Sequence, residues 1–256
     1  MKLRKDELKD FLDYKAEQYN TPAFIEDDPI SIPHKFSRKE DIEIAGFLVA
    51  TISWGNRKSI IKSGNRMIEL MGESPYDFVM EYSPKQLNTL DDFVHRTFNH
   101  TDLKYFIKAL KNIYIKHEGI ENVFSKHATS ESVQPAIHYF KQTFFEIAHP
   151  ARTEKHLSDP LKNSAAKKIN MYLRWMVRND KKRVDFGIWK SIRPSQLSCP
   201  LDVHSGNVAR KLGLLQRKQN DAKALSELDI ALRRLDKRDP VKYDFALFGL
   251  GAYEKF

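Results

Sequence analysis

The sequence predicts an all-α protein, and three observations carry that prediction. Apolar residues recur at helical spacing almost throughout. Helix-opening and helix-stopping residues punctuate the apolar stripes. No β-alternation of useful length, internal repeat or low-complexity tract interrupts the pattern. At the usual helix length the chain has room for about ten to twelve helices.

The elements follow in order. Lys5 to Gln18 reads as a first helix, with Leu8, Phe11, Leu12 and Ala16 on one face. Residues 21–33, rich in Pro and Asp, read as a loop. Ser37-Arg-Lys-Glu40 fits a capping box that opens a very apolar, central helix over Ile42 to Ile52. Ser53-Trp54-Gly55-Asn56 interrupts that helix, and Asn56 is placed to cap the next, Arg57 to Met71, which stops at Gly72. Ser74-Pro75 and Ser83-Pro84 mark two short helices. Asp102 is read as the cap of a helix carrying Leu103, Phe106, Ile107, Leu110 and Ile113. Glu131 to Ala148 is a Phe-rich helix and Pro150 to Pro160 a loop. Asn163 to Arg178 is a long basic helix, and Asn179 to Arg193 is polar and basic, anchored by Phe186, Ile188 and Trp189. Asp202 opens a helix with Val208, Ala209, Leu212 and Leu215 inward. Ala222 to Leu235 follows, and Asp239-Pro240 starts the last helix, ending at Gly249.

Composition narrows the chemistry. The hydrophobic content of 41% supplies a core, and no run approaches membrane-spanning length. The charged start Met-Lys-Leu-Arg-Lys argues against a cleaved signal peptide, and a cytoplasmic location is the default. The single cysteine, Cys199, excludes an internal disulfide and any four-cysteine zinc or iron–sulfur site. No metal site and no cofactor are expected. Charge is uneven. Residues 1–150 hold 20 Lys+Arg against 22 Asp+Glu, whereas residues 151–256 hold 23 against 12, which together make the net +9. A basic half beside a near-neutral half suits a polyanion, although a solvated lysine-rich surface gives the same count.

Four features are candidates for chemistry. Asp202 stands at the mouth of a helix, either as a cap or as a catalytic carboxylate. Lys168 lies at the edge of a buried stripe beside Lys167. It is either a snorkelling surface lysine or an amine that burial and neighbouring cations make nucleophilic. Trp54 and Asn56 flank a glycine at a helix break, which is a plain corner with a packed Trp or a place where another backbone approaches closely. Asp244, one turn from Phe248 on an apolar helix, is paired, capping or functional. No glycine-rich phosphate loop and no Ser/His/Asp signature is present, and Asp202 with His204 make a weak metal pair.

The run Leu201-Asp-Val-His204 through Asn207-Val-Ala-Arg210-Lys-Leu-Gly213-Leu resembles the Asp-bearing segment of the helix-hairpin-helix DNA glycosylase superfamily, endonuclease III and relatives. Phe47 to Ile60 resembles the early buried helix of that superfamily. Lys168 to Met176, with Asp202 following 34 positions later, is similar to the lysine helix of archaeal 8-oxoguanine glycosylases. Asp244 to Gly251 takes the place of the closing apolar helix. Across nearly its whole length the chain resembles a bacterial family of about this size, found in Bacteroidetes among others, whose function is not established. Its runs are Arg174 to Arg178, Val184 to Trp189 and Pro200 to Arg210. The hairpin Leu-Pro-Gly-(Val/Ile)-Gly is missing, and Leu157-Ser-Asp-Pro-Leu-Lys-Asn-Ser-Ala-Ala166 stands in its place.

The resemblance implies one glycosylase-like unit over residues 1–256. Its central bundle would span 37–178, with a second subdomain of 1–36 plus 179–256 and a cleft between them. It implies a monomer acting on damaged duplex DNA, with the target base flipped into a pocket. Lys168 and Asp202 would be catalytic. Trp54, Asn56, Trp189, Asp244 and Phe248 would form the base pocket or wedge. Asn163, Ser164, Lys181, Lys182, Arg183, His204, Arg210 and Lys211 would hold the DNA backbone. The alternatives are a nucleic-acid-binding protein on the same scaffold without chemistry, and an interaction protein with a merely basic surface.

Overall fold

The computed structural model of the chain describes residues 4–256. Met1-Lys2-Leu3, the start of the charged N-terminal run, lie outside the described residues. The chain is mostly helical. Its helices are α1 (Lys5–Tyr19), α2 (Ala23–Glu26), α3 (Lys39–Ile52), α4 (Arg57–Leu70), α5 (Pro75–Glu81) and α6 (Pro84–Asn88), then α7 (His100–Lys116), α8 (Ile120–His127), α9 (Gln134–Phe144), α10 (Lys167–Val177), α11 (Val203–Lys211), α12 (Ala222–Leu235) and α13 (Tyr243–Ala252). A two-residue antiparallel pair, β1 (Val94–His95) with β2 (Phe98–Asn99), leads into α7. Among the described residues no helix is long and apolar enough to cross a membrane.

Local sequence explains several helix starts. Asn56 accepts from Ser59 N–H at 3.1 Å, Ser83 and Gln86 form a reciprocal box, and Asp221 accepts from Ala224 N–H at 3.0 Å. Two expected caps differ. Arg38, not Ser37, precedes α3, and no side chain caps it. Asn99 caps α7, and Asp102 is the partner three residues inside, accepting from Asn99 N–H at 3.0 Å. Two expected helices are shorter. The Phe-rich helix is confined to Gln134–Phe144, and α10 begins at Lys167 because Asn163 and Ala166 both have positive φ, 63° and 45°. A helix cannot run through left-handed residues.

The chain divides into two compact units. The first holds the chain up to Phe24, His127–His138 and Ser158–Phe256, and the second holds Ile25–Lys126 and Tyr139–Leu157. The boundaries differ from those expected: residues 25–36 go to the second unit, and residues 127–138 and 158–178, the lysine helix included, go to the first.

The second unit is built on α3, whose residues Ile42 to Ile52 are all buried. Phe47 packs on Phe106, Phe140 and Phe144, with ring centroids 5.4–5.7 Å apart. In the first unit, α1, α11, α12 and α13 close over a cluster that includes Leu12, Leu201, Val208, Leu228, Leu232 and Leu247. Gly249 is required there. A Cβ on it would sit 2.1 Å from the Tyr19 ring, so only glycine lets α1 and α13 meet this closely.

Candidate functional site

The first unit gathers most of the residues singled out from the sequence. Asp202 is the N-cap of α11. Its Oδ1 accepts from Ser205 N–H at 2.9 Å, and the Ser205 hydroxyl in turn accepts from Asp202 N–H at 2.9 Å. The box engages Oδ1, while Oδ2 carries no hydrogen bond among the described residues. The carboxylate is half-buried and faces a helix N-terminus, where negative charge is favoured. Its charge also helps to push Asp244 upward, which puts the two carboxylates in one electrostatic neighbourhood.

Lys168 is the second residue of α10 and is half-buried. Burial first, and Lys167 beside it second, push its amine down to about 8. The direction agrees with its place in the first turn, where the helix dipole opposes a cation. A fraction of this amine is therefore neutral near neutral pH, the form a nucleophile needs.

Further along α10 the cations behave differently. Arg174 Nε donates to Asp185 Oδ1 at 3.1 Å, and its Nη1 pairs closely with Asp244 Oδ2. Arg178 reaches Asp185 at 3.2 Å, Asp180 at 2.7 Å and Asp239 at 2.9 Å. Both guanidiniums lie over the Phe245 ring, at 4.3 and 5.4 Å. The sequence reading passed over this network. The available signal was a pair of arginines one turn apart on an apolar helix, followed by Asp180 and Asp185. Asp244 belongs to the network. Burial raises it to about 6 despite Arg174, and the Cys199 thiol, itself pushed well up by burial, donates to its Oδ1 at 3.7 Å. Asp244 is thus paired in the core, not free to read a base.

Other expected residues take other places. Trp189 is 1% exposed and lies edge-on to Tyr172, 5.6 Å away, so its ring has no open face for a base. Asn163 and Ser164 precede the helix instead of opening it. Asn163 donates to Asp221 at 3.3 Å, and Ser164 Oγ accepts from Ala166 N–H at 3.1 Å. Arg210 is occupied in holding the loop after α11, through Arg217 O at 2.8 Å and the Asn220 side chain at 2.6 Å. Lys182 pairs with Glu17 at 2.8 Å, and Lys211 lies over Phe256 at 5.8 Å. Lys181, Arg183 and His204 are exposed. Phe248 is half-buried against Phe24 and His204. Trp54 and Asn56 belong to the second unit, where Arg96 covers the Trp54 ring at 5.3 Å and Asn56 caps α4. Among the described residues no group of three or more His, Cys, Asp or Glu side chains is arranged to hold a metal ion.

Over residues 28–253 the chain matches the family described as Protein of unknown function (DUF2400), and it belongs to that family. No curated protein and no solved structure matches it.

Proposed function

We propose that this member of the DUF2400 family is a DNA base-excision glycosylase with lyase activity, in which Lys168 is the nucleophile and Asp202 the assisting carboxylate. The observation that carries the reading is a half-buried Lys168 in the first turn of α10, where burial and Lys167 push its amine down to about 8, in the same unit as a capping Asp202 whose Oδ2 accepts no hydrogen bond among the described residues.

The neutral Lys168 amine attacks C1′ of the damaged nucleotide. The glycosidic bond breaks and its electron pair leaves with the base, which takes up a proton. The C1′–O4′ bond then breaks with its electron pair going to O4′, which takes up the proton lost from nitrogen, and the C1′=N bond that forms is a Schiff base. Asp202 stabilises the positive charge that builds on the sugar as the bond lengthens.

The test is borohydride trapping on duplexes carrying single lesions, with oxidised purines tried first. Wild type should cross-link to at least one lesion, and Lys168→Gln should lose the cross-link while binding duplex as before. Absence of trapping and of alkali-revealed base loss on every lesion would sink the proposal.

The excess of 23 Lys+Arg over 12 Asp+Glu in residues 151–256 favours a second reading, a nucleic-acid-binding protein without chemistry. That reading predicts salt-sensitive duplex binding with no base release from any substrate.

A further inference from the structure

The first unit carries a groove of about 780 Å³ that does not include Lys168 or Asp202. Its volume lies in the range of small-molecule sites. Its lining includes Leu225 and Ile230 of α12 together with Pro160 and Leu161. Leu161 and Ile230 stay 69% and 53% exposed, so two large apolar side chains present themselves to solvent in a concavity.

The charges on the groove divide into occupied and open. Arg233 is occupied: it donates to Leu197 O at 2.7 Å and Ser195 O at 3.2 Å, and it faces the buried Asp229 at 3.5 Å. Asp229 also accepts from Cys199 N–H at 3.1 Å. Arg234 and Lys237 are exposed and have no ion pair among the described residues. Glu131 supplies one exposed carboxylate to the same lining. Two open cations and one open carboxylate share the lining with apolar side chains, and the balance favours an anion with an apolar body.

We propose that this groove binds an amphipathic anion, a small molecule whose apolar body lies on Leu161, Leu225 and Ile230 while its carboxylate, sulfonate or phosphate faces Arg234 and Lys237. The inference is independent of the glycosylase reading, since it uses none of its residues.

The probe is 8-anilinonaphthalene-1-sulfonate, followed by fluorescence on the full chain. Binding should saturate at one molecule per chain. Decanoate should displace the probe and decyltrimethylammonium should not. Arg234→Glu with Lys237→Glu should weaken binding by about tenfold or more, because two attractions become repulsions. Ile230→Ser should weaken it through the apolar wall. All three positions are on the surface, so the variants should keep the wild-type denaturation midpoint. Lys168→Gln should bind the probe as wild type does. Unsaturable binding, unchanged affinity in the charge-reversed variant, or equal displacement by the cationic detergent would each overturn the proposal. Displacement by undamaged duplex DNA would assign the face to nucleic acid and overturn it as well.

Discussion

Lys168 and Arg174 stand six positions apart on the same helix, and the fold treats them in opposite ways. Arg174 meets two carboxylates, Asp185 and Asp244, and Arg178, one turn on, meets three. The charge that perturbs Lys168 most is another cation, Lys167. A planar guanidinium satisfies several carboxylates at once and keeps its charge, so arginine suits the buried tail of α10. A lysine amine gives up its proton when desolvated, so the head of the helix holds a group whose protonation is adjustable. The contrast separates cations held by carboxylates from one whose charge burial disfavours, on the same element.

The comparison breaks most visibly at Arg174. Arg174→Ala leaves Asp185 and Asp244 buried without that partner and should cost about 3–5 kcal/mol, read from a denaturant midpoint. A loss under about 1 kcal/mol would mean that the network is not holding the first unit together.

Lys168→Met should act in the other direction. Removing a desolvated cation should stabilise the fold by on the order of 1–3 kcal/mol near neutral pH. The sign follows from proton counts. The folded amine titrates near 8 and the unfolded one at the ordinary value of 10.5, so between them the unfolded state holds more protons. Wild-type stability should therefore rise as pH climbs through that window, and the advantage of Lys168→Met should shrink over the same range. A pH-independent difference between the two would remove the case for a perturbed amine.

Asp202 gives the smallest effect and sharpens the site most. Asp202→Asn keeps a competent cap and should cost only a few tenths of a kcal/mol, whereas Asp202→Ala should cost about 1 kcal/mol. If Asp202 is catalytic, both variants lose base release per folded molecule. If Asn is fully active, the residue is a cap alone.

Much of this arrangement was legible in the sequence. Ser83 with Gln86, Asn56 before α4, and Asp202 with Ser205 are short-range signatures, complete within four residues. The stripe of α7 reported its buried face directly, and Val208 and Ala209 did so for α11. Ser37-Arg-Lys-Glu40 had the same form and was not used, since the chain turns helical one residue later than the box requires. The head of α10 was misjudged for a related reason. Nothing in Asn163-Ser-Ala-Ala166 announces two left-handed residues, and an alanine at φ 45° is held there by its surroundings.

By itself, then, the sequence determined the helical class, the order of the longer helices and the basic excess of the second half. Each follows from interactions between near neighbours or from composition. Tertiary structure alone decided which cations are paired, that Trp189 is core and Asp244 ion-paired, and that α12 walls a groove with two open cations. Those outcomes join positions as far apart as Arg174 and Asp244, 70 residues along the chain, and desolvation sets their strength. Helical periodicity could not have revealed them, because nearly every residue of α10 from Ile169 to Val177 is buried and both sides of the helix face protein.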